Sequence, residues 1–199
     1  MNQWNTRETL LMQVKNTHND KAWAEFDKYY RSFIHMILIR MGVNHHDAED
    51  LTQTVLLTAW QKLPEFNYDS NKGYFRGWLC TVAGNSRKNF FDKKRREAKR
   101  HEMAATDSTM TYGKSYSDAD IETIADQEWE VYISNLAWEN IKDELADKVC
   151  KAFIALTEGG DPADIAHKLG IERNTIYVYK KRVTKLLYNE INRLDHELG

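Results

Sequence analysis

Apolar residues recur at three- and four-residue spacing through the first hundred positions, a period that predicts amphipathic helices. The first stripe comprises Trp23, Phe26, Tyr30, Ile34, Ile37 and Met41. Gly42 follows it directly and is expected to end the helix. The second stripe comprises Leu51, Val55, Leu56, Ala59, Trp60 and Leu63. We expect Asp47 to cap this second helix and Pro64 to end it.

A third helix is predicted from about Arg76 to about Arg96. It follows a polar segment, residues 67–73, that contains turn-forming Asp, Ser, Asn and Gly. The first half of the predicted helix is apolar around Trp78 and Leu79, whereas the second half is polar and basic. The segment therefore combines a part that can pack in a core with a part that suits an acidic partner.

The helical period is lost over residues 101–126, where small, polar and acidic side chains dominate. This composition predicts a flexible linker. Helical periodicity resumes near Trp129 and continues along the rest of the chain. The expected fold is all-α, with one small helical domain over residues 5–100 and a second over residues 127–199. Only 2 Pro and 9 Gly occur in 199 residues, which also favours long helices.

Residues 161–187 have the spacing of a helix-turn-helix. Asp161 is placed to cap a short helix with Pro162 at its first position, and Gly170 is placed to make the turn. In the second helix, Ile176 and Val183 are expected to face the core. The stretch from residue 173 to 185 carries five basic and no acidic side chains.

An exposed face of this composition suits the major groove of DNA, where Asn and Arg reach base edges and Lys neutralises phosphates. A solvated helix face is the alternative, but the turn together with the one-sided charge favours DNA binding. The predicted contacts are Arg173, Asn174, Thr175, Tyr177, Val178, Lys180, Lys181, Arg182 and Lys185.

The formal net charge of −2 conceals strong local blocks of charge. Residues 76–101 carry 9 basic and 2 acidic side chains, whereas residues 102–147 carry 2 basic and 12 acidic ones. In the basic block, aromatic rings alternate with cations, a combination that binds single-stranded nucleic acid by stacking and by charge. Core packing is the alternative for Trp78 and Leu79, and we expect it for those two.

Motifs of common enzymes are absent: the sequence has no P-loop, GxGxxG, HExxH or CxxC. His45, His46 and Asp47 lack a further ligand at helical spacing, so neither a metal site nor a cofactor is expected. Cys80 and Cys150 lie far apart in helical segments and are interpreted as reduced thiols. With no signal peptide and no apolar run long enough for a membrane helix, the expected location is cytoplasmic, and no membrane partner is expected.

Three segments together resemble the ECF (extracytoplasmic function) sigma factors of bacterial RNA polymerase. DAEDLTQTVLLTAW, residues 47–60, resembles the polymerase-binding helix of region 2. FRGWLCTVAGNSRKNFFDKKRR, residues 75–96, resembles the adjoining segment that melts the promoter and binds the −10 element. The helix-turn-helix resembles region 4, which binds the −35 element. The resemblance implies a promoter-specificity subunit, and not an enzyme.

The resemblance also implies roles for individual residues. The clamp helices of the largest polymerase subunit would be faced by Asp47, Asp50, Gln53, Thr54 and Leu57, and the polymerase flap would be a second contact. The loop at residues 67–73 would help to hold a flipped −10 base. Contacts to −10 DNA would come from Tyr74, Phe75, Arg76, Asn85, Arg87, Lys88, Lys93 and Arg96.

Two questions stay open at the level of sequence. A helix-turn-helix repressor or activator that binds duplex DNA unaided would explain residues 161–187, although it would leave residues 47–60 and the basic block without a role. Many ECF sigma factors are held inactive by an anti-sigma factor, and this partner is neither indicated nor excluded by the residues.

Overall fold

The computed structural model describes residues 6–66, 75–102 and 116–198. Within these ranges all regular structure is helical, which confirms the predicted all-α fold. None of the described helices carries an apolar stretch long enough to cross a membrane. The α-helices are α1 Thr6–Val14, α2 Asp20–Arg40, α3 His45–Lys62, α4 Phe75–Glu102, α5 Asp118–Lys142, α6 Asp147–Thr157, α7 Pro162–Leu169 and α8 Arg173–Leu198, and a 3-10 turn, Leu63–Glu65, follows α3.

The chain divides into two compact units, each with a core of its own. The N-terminal unit comprises the chain up to Glu130 together with Leu198, and the C-terminal unit comprises Val131–Glu197. The boundary lies inside α5, so residues 118–130 of that helix belong to the N-terminal unit.

The N-terminal unit is built on α2, α3 and α4, each of which packs against the other two. An aromatic cluster joins α2 to the start of α4, where Phe75 is completely buried. Its ring centroid lies 5.9 Å from that of Phe26, 5.4 Å from that of Tyr30 and 5.4 Å from that of Trp78. Phe66, which follows α3, also contacts this cluster, at 5.7 Å from Phe75. The buried Phe75 ring therefore fixes the first turn of α4 against α2 and against Phe66, in the segment that follows α3.

The ends of α2 and α3 depend on two short polar motifs. Gly42 follows α2 with a φ of 82°, in the left-handed region that glycine favours, as expected for a helix end. Asn44, not Asp47, caps α3: its side chain accepts a hydrogen bond of 2.9 Å from the Asp47 amide. The predicted cap was wrong because Asp47 occupies the third helical position, where an acid stabilises the first turn instead.

The predicted linker is shorter than its composition suggested. Helix α4 continues to Glu102 and α5 begins at Asp118, so residues 118–126 are helical and that part of the linker prediction is wrong. Ser117 and Asp120 close the start of α5 with reciprocal hydrogen bonds, in which the Ser117 amide donates at 2.9 Å and the Asp120 amide at 3.2 Å. Residues 103–115 lie outside the described residues.

Residues 118–130 pack onto the N-terminal unit. The Trp129 ring meets the Phe33 ring edge to face at a centroid distance of 4.9 Å, and Arg76 pairs with Asp126 at 2.7 Å. Ile121 lies over Gly84 so closely that a Cβ at position 84 would be 2.5 Å from the Ile121 Cδ1 atom. The absence of a side chain at Gly84 therefore allows α5 to approach α4.

The C-terminal unit holds the predicted helix-turn-helix elements. Asp161 caps α7 by accepting from the Ala163 amide at 2.8 Å, and Pro162 occupies the first helical position. Gly170 turns the chain with a φ of 62°. Ile176 and Val183 of α8 are completely buried, as predicted. The core of this unit is formed by Ile141, Leu145, Val149, Ala152, Ile165, Ala166, Ile176 and Val183.

We predict that Trp129→Ala lowers the unfolding free energy of the N-terminal unit by about 3–5 kcal/mol, the range for truncating a buried Trp. Trp129 is only 4% exposed, although it lies just beyond the predicted linker. The matched control is Gln127→Ala on the exposed face of the same helix, for which we expect a change within about 0.5 kcal/mol. Denaturant unfolding measures both, and equal effects would show that this half of α5 is not part of the folded unit.

Candidate nucleic-acid and partner interfaces

Helix α4 presents a basic and amide-bearing face to solvent. At 100° per residue its members span an arc of about 140° around the helix. All of them are exposed: Asn85, Lys88, Asn89, Lys93 and Arg96. Four of these were predicted DNA contacts, and Asn89 lies one helical turn after Asn85 on the same face. The arrangement places amides able to pair with base edges among cations able to track a phosphate backbone.

Two predicted DNA contacts, Phe75 and Arg76, face the interior instead. Phe75 belongs to the buried aromatic cluster. Arg76 pairs with Asp126 and lies over the Trp129 ring at 5.1 Å, so that only 16% of its side chain is exposed. Phe75 attaches α4 to α2 and to Phe66, and Arg76 attaches α4 to α5. Their burial contradicts the prediction that these two side chains are presented to DNA.

Arg87 is a third correction, since this charged residue is only 6% exposed. Its Nε donates a 2.8 Å hydrogen bond to the Met41 carbonyl at the end of α2. The guanidinium also lies 4.8 Å from the centroid of the Phe91 ring and 4.6 Å from that of Tyr116. Burial lowers the pKa of Arg87 from its ordinary value, but the group keeps its charge because arginine starts so high. Arg87 therefore connects α2, α4 and Tyr116, and its burial contradicts the prediction that its side chain is presented to DNA.

Two further predictions cannot be compared with the structure. Tyr74 and the loop at residues 67–73 lie outside the described residues.

Helix α3 carries an exposed stripe, which we call the α3 stripe: Asp50, Gln53, Thr54, Leu57 and Trp60. Leu57 is 55% exposed and Trp60 is 38% exposed, so two large apolar side chains lie among polar ones. The sequence placed Trp60 on the buried face, because it follows Ala59 in the apolar period; the structure corrects this. A mixed apolar and polar stripe on a rigid helix is suited to binding a protein partner.

Asp47 does not share the α3 stripe, although the sequence grouped it with Asp50. Its side chain is 18% exposed and faces α4, where Lys94 Nζ donates to Asp47 Oδ2 at 2.6 Å. Asn44 Nδ2 donates to the same oxygen, also at 2.6 Å. The hydrogen bond from Lys94, followed by that from Asn44, lowers the pKa of Asp47 against an opposing effect of burial. The pair therefore stabilises the fold at neutral pH, and that contribution is lost as pH falls below the usual range for Asp through the lowered pKa.

In the C-terminal unit the outer face of α8 is exposed as predicted. Tyr177 is 48% exposed and Val178 is 62% exposed, among cations that are exposed as well. Thr175 alone among the predicted contacts of this helix is half-buried. The exposed members are Arg173, Asn174, Tyr177, Val178, Lys180, Lys181, Arg182 and Lys185.

The α3 stripe and the basic face of α4 are both located within a segment that is similar to a known family. Residues 26–97 match the family model for Sigma-70 region 2. The match covers α3, most of α2 and α4 as far as the basic run. The match ends at residue 97, before α5, and does not include the C-terminal unit.

Curated relatives of the chain are ECF sigma factors at modest identity. "ECF RNA polymerase sigma factor SigK" of Mycobacterium bovis is 28% identical over 119 residues, 60% of this chain and 58% of the relative. RpoE of Cereibacter sphaeroides is 27% identical over 78 residues, which are 39% of this chain and 42% of the relative. SigE of Mycolicibacterium smegmatis is 28% identical over 78 residues, 39% of this chain and 28% of the relative. The chain thus spans little more than half the length of the first of these relatives.

The segment that matches the region 2 model contains two neighbouring cations, one buried and one exposed. Arg87→Met removes the donor to the Met41 carbonyl, so we predict a loss of about 1.5–3 kcal/mol in unfolding free energy. Lys88→Met, on the exposed side of the same helix, is predicted to change it by less than about 0.5 kcal/mol. Denaturant unfolding of both variants is the measurement. Small and equal changes in unfolding free energy would indicate that Arg87 is exposed, as the sequence predicted.

Proposed function

We propose that this chain is a transcription initiation factor that binds core RNA polymerase and directs it to specific promoters. The N-terminal unit would dock on polymerase and open DNA at the −10 element, and the C-terminal unit would bind the −35 element. RNA synthesis itself would remain with the polymerase, so the chain would not be an enzyme. The observation that carries the proposal is that one small region 2 segment combines an exposed partner-binding stripe on α3 with a nucleic-acid face on α4.

The α3 stripe supports polymerase as the partner. Leu57 and Trp60 provide apolar area, while Asp50 and Gln53 supply charge and hydrogen-bonding groups that fix orientation. The clamp helices of the largest subunit are the partner that the family resemblance implies for this surface. The flap of the polymerase is the second contact implied, through the C-terminal unit.

The α4 face supports binding of an unpaired −10 strand. Exposed Asn85 can hydrogen-bond the edge of an unstacked base, and Lys88, Lys93 and Arg96 can follow the backbone. In duplex DNA these base edges are paired with the other strand, so Asn85 can bind them only after the strands separate. Strand capture would therefore stabilise the open state of the promoter.

The exposed face of α8 supports duplex binding at the −35 element. Its first turns present Arg173 and Asn174, whose side chains can form bidentate contacts to bases in the major groove. Lysines further along the helix would neutralise phosphates, which makes the interaction sensitive to salt.

A regulator that binds duplex DNA without polymerase is the second candidate, because the C-terminal unit alone has the elements it needs. That function would leave the α3 stripe and the α4 face unused. An anti-sigma partner remains a prediction from the resemblance, as does a cytoplasmic location.

We predict that Asp50→Ala weakens binding to core polymerase by about tenfold, which assigns Asp50 to the minority of interface residues that carry most of the binding energy. Glu49→Ala is the matched control: it removes the same charge from the adjacent exposed position, outside the α3 stripe. Affinity is measured by titrating labelled protein with core enzyme. Equal effects for the two variants, or no binding by the unaltered protein, would argue against polymerase docking through α3.

We predict that Lys181→Glu weakens promoter binding by the polymerase complex about tenfold and flattens its salt dependence, since a phosphate contact becomes a repulsion. Lys148→Glu makes the same charge change on the exposed side of α6. Promoter occupancy at several salt concentrations distinguishes the two. Unchanged occupancy for Lys181→Glu would remove α8 as the −35 contact.

A further inference from the structure

We propose that Asp47 and Lys94 are positioning residues: their contact holds the basic half of α4 in place on α3, the helix that docks on polymerase. The inference rests on the proposed function and deepens it. It assigns Asp47 to the internal geometry of the region 2 segment and takes it away from the polymerase surface.

The basic half of α4 has little hydrophobic attachment of its own. Arg87 is buried, and none of the side chains at positions 88–100 is buried. Lys94 lies seven residues beyond Arg87, which is about 10 Å further along the helix axis. The first half of α4 is therefore fixed by the core, whereas the second half extends past it and depends on polar contacts.

Charge repulsion makes this extension costly without a partner. Four consecutive cations, residues 93–96, lie in it. Lys93 and Arg95 are near acids of α4 itself, Glu97 at 3.9 Å and Asp92 at 3.5 Å. Lys94 differs because its partner, Asp47, belongs to α3. The Lys94–Asp47 contact is thus a direct link between the basic run and the neighbouring helix.

Both partners are held in the geometry that the link requires. Asp47 is fixed at the first turn of α3 by Asn44, whose side chain bonds both the amide and the carboxylate of Asp47. Lys94 Nζ lies 4.5 Å from the centroid of the Phe90 ring, and this cation–π contact restrains the ammonium group. At the other end of the helix pair, the Phe66 ring packs against Trp78 in a tilted arrangement, with a centroid distance of 4.8 Å. The α3–α4 pair is therefore closed at one end by aromatic rings and at the other by this ion pair.

The consequence for function is geometric. If polymerase grips the α3 stripe, the position of Lys93 and Arg96 relative to the polymerase is set by how α4 is held on α3. Loosening the Asp47–Lys94 contact would leave the α3 stripe intact but misplace the cations that capture the melted strand. Docking and strand capture should then respond differently to the same substitution.

The test is a double-mutant cycle in the full chain, bound to core polymerase. Asp47→Asn, Lys94→Gln and the double variant are compared for core affinity and for the rate of promoter opening at saturating complex, followed by permanganate reactivity at the −10 element. We expect core affinity within about twofold of the unaltered protein and opening slowed about two- to fivefold by each single change, the range for a partly exposed ion pair. The double variant should be no slower than the slower single variant, because the two residues act through one contact.

Lys93→Gln is the matched control, because it removes a neighbouring cation whose side chain is 72% exposed and has no partner on α3 in the described contacts. Its effect should add to that of Asp47→Asn, whereas the effect of Lys94→Gln should not. Lys94→Arg keeps the charge and should restore opening. Thermal unfolding of each variant accompanies the cycle, and its midpoint should fall by no more than a few degrees, because an ion pair this exposed contributes little to the free energy of unfolding.

Several results would overturn the proposal. A loss of core affinity with Asp47→Asn that exceeds the loss with Lys94→Gln would make Asp47 a polymerase contact. Full additivity of Asp47→Asn and Lys94→Gln would make Lys94 an independent DNA contact, and a slowing of opening that follows a loss of thermal stability would make the pair merely structural. Failure of the unaltered protein to bind core polymerase would instead refute the proposed function, so the two failures are distinguishable.

Discussion

The buried ring of Phe75 is the contact on which the geometry of the N-terminal unit depends. It brings α2, Phe66 after the 3-10 turn and the first turn of α4 together in one aromatic cluster. Arg87 makes the second attachment, twelve residues and about three helical turns later, by donating to the end of α2. Around the helix axis, Arg87 lies on the side opposite Asn85 and Arg96, and both of these side chains are exposed to solvent.

This arrangement also explains the distribution of charge along the chain. The acidic residues after position 117 are not simply a solvated tail, because Asp126 and Glu128 pair with Arg76 and with Arg40. Those arginines lie away from the exposed face of α4. The acids of α5 therefore stabilise the unit without neutralising the cations proposed to bind DNA, and a near-zero net charge is compatible with a strongly basic local surface.

Much of the fold could be predicted from residue spacing. The apolar period gave α2 and α3, and Asp161, Pro162 and Gly170 gave the start and end of α7, because capping is a local property of the chain. The docked half of α5 was missed since its acidic composition obscured a weaker signal. Ile121, Ala125 and Trp129 recur every four residues and form the face that packs on the N-terminal unit.

The site was predictable only where exposure follows from composition. Lys88, Lys93 and the cations of α8 are exposed, as charged residues usually are. Arg87 could not be separated from Lys88 by sequence, because its burial depends on the Met41 carbonyl 46 positions earlier in the chain. Asp47 likewise differs from Asp50 only through Lys94, a tertiary partner. Where a side chain has a long-range polar partner, spacing along one helix does not reveal its direction.

The central claim is that this chain gives core RNA polymerase the ability to start at particular promoters. Its most direct test is runoff transcription from a library of genomic fragments, using core polymerase purified free of other initiation factors, with and without the purified chain. The account predicts new transcripts that appear only when the chain is present, with two sequence elements at fixed spacing upstream of their start sites. No new transcripts, together with tight binding of the chain to duplex DNA in the absence of polymerase, would contradict it.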